Sequence, residues 1–239
     1  MIVERFKDYT SLSSHASGIV LSEIDKKKDA LLCAATGNSP IGLYEQLVSK
    51  SEEDGSLFED IRIIGLDEWG KVPANHPITC EYFLKTKLIN PLGISVDRTT
   101  LFNTDPNHPF EECNRIQFEL DSQGPIDICI LGLGKNGHLG FNEPGPYLEP
   151  HTHKADLSVE SMQHSMLDSA NVLPAYGLTL GMKDILSSRK IVLLITGNHK
   201  SSVTEDLLEG KITPNIPATF LWLHENVDCL IDENVFSEE

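Results

Sequence analysis

The residues best suited to chemistry crowd into one stretch, LGLGKNGHLGFNEP, from Leu131 to Pro144. It holds four glycines, an imidazole at His138 and, five residues on, a carboxylate at Glu143. Imidazole changes charge near neutral pH and can move a proton either way; a carboxylate beside it can orient it. Spacing alone does not separate this from a glycine turn that carries a hydrogen-bonded structural histidine. A pair of acids, Asp67-Glu68, follows the apolar run Ile61–Leu66. Adjacent carboxylates suit proton transfer, but only one of the two can face a given pocket; a solvated loop acid is the plain alternative.

Two further loops have the residues to hold an anion. Thr36-Gly37-Asn38-Ser39-Pro40 lies between the run DALLCAA and a segment with Ile41, Leu43, Tyr44, Leu47 and Val48 at helical spacing. A small-residue loop between strand and helix converges its amides on a phosphate, and the helix start adds partial positive charge. Ser39 is expected to cap that helix, with Pro40 at its first position; an ordinary capped helix start would read the same way. The loop matches neither a Walker motif nor a GxGxxG fingerprint. Thr196-Gly197-Asn198-His199-Lys200 follows the run KIVLLI and offers a cation at Lys200, which could equally be a solvated surface lysine.

These loops need elements to position them. Helical spacing is expected from Tyr9 to about Asp25, Thr79 to Leu88, Phe110 to Leu120 and Ser201 to Leu208, with strands over 29–35, 61–66, 126–131, 190–195 and 227–231. Asp67–Gly70 reads as a loop, and 90–109 as mostly irregular. Tyr147–His153 reads as a long loop able to act as a lid. A helical turn is expected around Ser161–Ser169, then a strand from Tyr176 and a short helix over Met182–Leu186. Pro217 opens a short helical stretch. Strands alternating with helices predict an α/β fold with a doubly wound, mostly parallel sheet, with no linker or repeat in residues 1–239.

A net charge of −17 argues against nucleic acid and anionic membranes as partners. No apolar run reaches membrane-spanning length, and the first twenty residues lack a signal-peptide pattern, so a cytoplasmic location is expected. Cys33, Cys80, Cys113, Cys129 and Cys229 form no CxxC pair and are expected as buried thiols. His151 and His153 form an HxH pair without a third patterned ligand, so no metal is expected.

The loops TGNSP, LDEW and GLGKNGHLGFNEP together resemble the glucosamine-6-phosphate deaminase/isomerase family over nearly the whole chain, and GHLGFNEP is the most specific element. LDEW, QHSML (Gln163–Leu167), LTLGMKDIL and IPATFLWLH are most similar to its galactosamine-6-phosphate isomerase (deaminase) branch. The resemblance implies a three-layer αβα, Rossmann-like fold. It also implies conversion of a 2-amino-2-deoxyhexose 6-phosphate and water to a ketohexose 6-phosphate and ammonia, without metal or organic cofactor. By the same resemblance Asp67 moves a proton between C2 and C1, His138 assists ring opening, and Glu143 orients that imidazole. Asn136 stands where many deaminases have aspartate, and holds the histidine without charge. Thr36, Gly37, Asn38, Ser39 and Lys200 would hold the sugar phosphate. The family's phosphate-binding arginine aligns with Met162, so that site is expected to be weaker or to be completed by another group such as Lys154 or His153. A 6-phosphogluconolactonase-like hydrolase and a non-catalytic sugar-phosphate sensor are the alternatives. The resemblance leaves open whether the chain forms a homo-oligomer.

Overall fold

The computed structural model describes residues 1–167 and 171–237. In chain order the elements are β1 (Ile2–Phe6), α1 (Tyr9–Lys26), β2 (Leu31–Ala34), α2 (Ile41–Glu53), β3 (Arg62–Gly65), β4 (Asp67–Gly70), α3 (Cys80–Leu84), β5 (Thr99–Thr100) and α4 (Pro109–Gln123). They continue with β6 (Ile128–Gly132), β7 (His153–Ala155), α5 (Val159–Met162), β8 (Tyr176–Thr179), α6 (Met182–Leu186), β9 (Lys190–Ile195), α7 (Ser201–Leu208) and β10 (Val227–Asp232).

Strand runs such as LLCA and KIVLLI are apolar throughout because they are covered on both faces. Successive side chains alternate between the faces. Leu31 and Cys33 join one core with Ile116 of α4, Ile185 of α6 and Leu207 of α7. Leu32 and Ala34 join the other with Leu12 and Val20 of α1 and Leu43 and Leu47 of α2. The result is three layers around a sheet of order β1-β10-β9-β6-β2-β3-β5, parallel at every pairing. From β2 the chain winds outward to β3, and from β6 outward to β9, so the carboxyl ends of β2 and β6 flank a switch point, where such sheets open a crevice.

Several sequence expectations are corrected. Asp67–Gly70 is not a loop but β4, paired antiparallel with β8 in a second sheet of order β4-β8-β7. Trp69 anchors it in a third cluster with Val72 and Phe141. The expected helix over Thr79–Leu88 is α3 followed by a wider turn, Lys85–Ile89. The segment 90–109 carries a 3-10 turn at Val96–Arg98 and the short β5. β1 escaped the sequence reading; it lies at the sheet edge, where Ile2, Val3 and Arg5 are exposed.

Tyr147–His153 is tied by its backbone to the start of α6. Met182 N donates to Glu149 O at 3.0 Å and Lys183 N to Pro150 O at 2.9 Å, and the loop ends in β7. The helical turn foreseen around Ser161–Ser169 is α5 and a 3-10 turn, Ser165–Leu167; positions 168 and 169 lie outside the described residues. All five cysteines are free and buried, as expected.

Candidate active site

A cavity of about 430 Å³ opens at the carboxyl ends of β2, β3, β6 and β9. Asp67, His138, Thr36, Gly37, Asn38, Ser39 and Lys200 all line it. Parallel strands end on the same side of the sheet, so loops as far apart in sequence as those of Thr36 and Lys200 converge there.

His138 leaves β6 on the glycine loop. Its ring lies over Gly134, where an added Cβ would come within 2.3 Å of Cδ2 and Nε2; any side chain at Gly134 would displace the imidazole. His138 Nδ1 lies 3.3 Å from Glu143 Oε2. When neutral, the ring thus carries its proton on Nδ1, toward the carboxylate, and Nε2 is the atom left to exchange a proton with a ligand. Asn136 braces both partners: Nδ2 donates to Glu143 Oε2 at 3.0 Å, and Oδ1 accepts from the His138 backbone N–H at 3.2 Å. Ser161 Oγ donates to Glu143 Oε1 and sits 3.4 Å from His138 Nδ1. Burial opposes the charge on Glu143, but the bonds from His138, Ser161 and Asn136 prevail and bring it down to about 2. Glu143 itself does not line the cavity; it acts on His138 from behind.

Asp67 begins β4 and reaches the cavity from the other side. Its Oδ1 is buried without a hydrogen-bond partner. Burial lifts its carboxyl from 3.8 to about 6, against the Cys80 thiol bonded to it and the pull of His138. Its neighbour Glu68 is spent on structure. It accepts the backbone N–H groups of Trp69, Cys80 and Glu81 at 2.7–2.9 Å and stays out of the cavity. Alternation along β4 decides which of the two acids faces the site.

At the far end, Ser39 does not cap α2, where the cap position is Pro40 without a side-chain bond. Ser39 Oγ instead meets Thr196 Oγ1 at 2.8 Å, tying the β2 and β9 loops together. Lys200 lines this end with Lys135 and His199. Desolvation, then the Lys135 charge, lowers Lys200 from 10.5 to about 8.

Met162 is absent from the lining, and so are Lys154 and His153, the groups expected to stand in for the arginine. Lys154 Nζ lies 5.0 Å from the Tyr176 ring centroid, and His153 Nδ1 bonds the His151 carbonyl at 2.8 Å; pairing of β7 with β8 directs them elsewhere. The segment after β7 instead sends in Glu160, Ser161, Gln163 and His164. Sequence reading missed these, together with Lys135, Cys80 and His199. Gln163 and His164 lie in the QHSML stretch and Lys135 in the glycine loop, so the motifs were in view without a direction for each side chain. Among the described residues no three His, Cys, Asp or Glu side chains gather as a metal site, and no helix is long and apolar enough to cross a membrane.

Known proteins are similar to this chain over nearly its whole length. "Putative deaminase AgaI" of Escherichia coli K12 is 40% identical over 230 residues, 96% of this chain and 91% of that protein. Glucosamine-6-phosphate deaminase of Clostridium novyi is 32% identical over the full length of both. The structure of a monomeric glucosamine-6-phosphate deaminase superposes with a TM-score of 0.92 at 34% identity, covering 98% of each chain. The Trypanosoma brucei 6-phosphogluconolactonase superposes at 0.78 with 20% identity, covering 98% and 97%, and shares the fold. The model of the glucosamine-6-phosphate isomerases and 6-phosphogluconolactonases matches residues 9–230. With its central sheet, its loops and its relatives in agreement over nearly the whole length, the chain belongs to the glucosamine-6-phosphate isomerase/6-phosphogluconolactonase family.

Proposed function

We propose that this enzyme converts galactosamine 6-phosphate and water to a ketohexose 6-phosphate and ammonia, with residues 1–239 acting as one catalytic unit. The observation that carries the reaction class is Asp67, a carboxylate with one buried, unpartnered oxygen, opposite a histidine whose free nitrogen faces the same cavity. The relatives named as deaminases support the amino-sugar phosphate. The galacto sugar rests on the branch-like stretches LDEW, QHSML, LTLGMKDIL and IPATFLWLH.

His138 Nε2 takes the proton from the anomeric hydroxyl and returns one to the ring oxygen, giving the open-chain aldehyde. Glu143 holds the imidazole and balances its transient charge. The Asp67 carboxylate then removes the C2 proton and delivers it to C1, while O1 takes up a proton and the C2 amino group gives one up. C2 becomes an imine carbon, water adds there, and ammonia leaves. A carboxylate near 6 is mostly ionised at pH 7 and is a stronger base than an ordinary aspartate. The Thr36–Ser39 loop and Lys200 hold the phosphate, which fixes C1 and C2 against Asp67.

Ammonia release from galactosamine 6-phosphate and glucosamine 6-phosphate at equal concentration tests this. Faster release from the galacto sugar is expected. Preference for the gluco sugar removes the sugar assignment and leaves the reaction. Release from neither, with hydrolysis of 6-phosphogluconolactone, removes both.

A further inference from the structure

We infer that Thr196 is a positioning residue for the substrate phosphate and acts through Ser39: the Thr196 hydroxyl donates to Ser39 Oγ and leaves the Ser39 hydrogen for the phosphate. The inference rests on the amino-sugar phosphate reading for its ligand; the geometry it starts from belongs to the cavity alone.

The two hydroxyls meet across the sheet. Ser39 Oγ and Thr196 Oγ1 are 2.8 Å apart, and both residues line the cavity. Ser39 is on the loop after β2 and Thr196 on the loop after β9, with β6 between these strands, so the bond bridges the end of β6. Gly132, the last residue of β6, lies beneath it: a Cβ built there would come to 3.8 Å from Ser39 Cβ and 3.9 Å from Oγ. The bridge joins the two loops assigned to the phosphate, the small-residue loop Thr36–Ser39 and the loop that carries Lys200.

Ser39 is released for this by a third residue. A serine just before a helix ordinarily turns its hydroxyl to the first helical amides. Here Tyr9 of α1 takes that place. Its Oη accepts from the Gly42 backbone N–H at 2.7 Å and shares its hydrogen between the carbonyl oxygens of Asn38, at 3.0 Å, and Ser39, at 3.2 Å. The start of α2 is thereby held from behind, and the buried Ser39 hydroxyl is directed to Thr196 instead.

The direction of the bond follows from what phosphate accepts. Each hydroxyl has one hydrogen and can both donate and accept. In the pair, one hydrogen lies between the two oxygens and the other is left over. Phosphate dianion offers acceptors only, and the amino end of α2, just after Ser39, draws it to that side. The order Thr196 to Ser39 to phosphate supplies every oxygen with a hydrogen, and the first bond polarises the second.

Binding of inorganic phosphate, measured by calorimetry on the full chain, tests the inference. Thr196→Val keeps the shape and removes the hydroxyl; Thr196→Ser keeps the hydroxyl. Thr196→Val should weaken phosphate binding roughly 3- to 10-fold, the worth of one neutral hydrogen bond. Thr196→Ser should recover most of that loss. Ser39→Ala should weaken binding more than Thr196→Val, and adding Thr196→Val to Ser39→Ala should cost nothing further, because Thr196 acts only through Ser39. The KM for amino-sugar phosphate should rise in Thr196→Val by the factor seen with phosphate, with kcat little changed. Unchanged phosphate binding in Thr196→Val overturns the inference, as does Thr196→Ser binding no better than Thr196→Val. A larger loss in Thr196→Val than in Ser39→Ala, additive losses in the double variant, or no phosphate binding by the unmodified protein overturns it too. If the phosphate results are as expected while no amino-sugar phosphate releases ammonia, the role of Thr196 stands and the reaction assignment falls.

Discussion

Acidification from pH 7 to pH 5 should lower kcat/KM about tenfold through Asp67 alone. Burial holds this carboxyl near 6, so about nine-tenths is ionised at pH 7 and about one-tenth at pH 5. An aspartate at its ordinary 3.8 would stay more than about nine-tenths ionised at pH 5 and give almost no limb. The assay is ammonia release from pH 4.5 to 9. The substrate phosphate also titrates near 6, so the inhibition constant of an unreactive hexitol 6-phosphate is measured in parallel. That constant follows the phosphate but not the base, and dividing it out isolates Asp67. The same burial has a consequence for stability. The folded-state value is raised, so folding favours the protonated form; the stability this brings is complete below about pH 3.8 and lost as pH rises through 6. At pH 8 the ionised carboxylate costs about 3 kcal/mol at most. Asp67→Asn should therefore melt higher than the unmodified protein at pH 8 while losing turnover. Near-normal turnover in that variant, a corrected acid limb below about pH 5, or a lower melting temperature at pH 8 would each refute the assignment of Asp67 as a desolvated base.

The remaining outcomes concern the other groups. His138→Gln should slow a closed-ring substrate by roughly 10²–10⁴-fold and spare an open-chain mimic; equal losses on both remove the ring-opening role. Lys200→Gln should raise KM with little change in kcat. It should also abolish the alkaline limb expected near pH 8, where Lys200 loses its proton, whereas Lys135→Gln should move that limb upward by removing the like charge. Glu143→Gln should cut kcat more than it raises KM, because the carboxylate is hydrogen-bonded to His138 and Asn136 and does not line the cavity; a pure KM effect would place it on substrate. Ser161→Ala should lower kcat through the loss of its hydrogen bond to Glu143, and an unchanged kcat would show that this bond does not serve His138.

The order of strands and helices was legible because apolar runs and helical spacing are local properties. KIVLLI became β9 and the Ser201–Leu208 periodicity became α7 with the expected bounds. Reading failed where a partner distant in sequence decides the state. DEWG has little strand pattern of its own and became β4 because Tyr176–Thr179 lies alongside it. Ser39 has the chemistry of a cap, yet Thr196, 157 residues away, takes its hydroxyl.

The candidate site divides along the same line. Residue types and their place after strands already named Asp67, His138, Glu143, the Thr36–Ser39 loop and Lys200 as candidates, since acids, imidazole, amides and a cation at strand ends are chemical facts of the chain, and the family resemblance added Asn136. Direction was decided in three dimensions. Pleating turned Asp67 inward and Glu68 onto the backbone amides of Trp69, Cys80 and Glu81. The Ser158–Asn136 and Ser161–Glu143 bonds set the short turn after β7 so that His164, rather than Met162, Lys154 or His153, comes over Gly37. Sequence by itself determined which groups were available and on which loops. Only the tertiary structure determined which of them meet, because a hydrogen bond between residues dozens of positions apart leaves no period or composition to read.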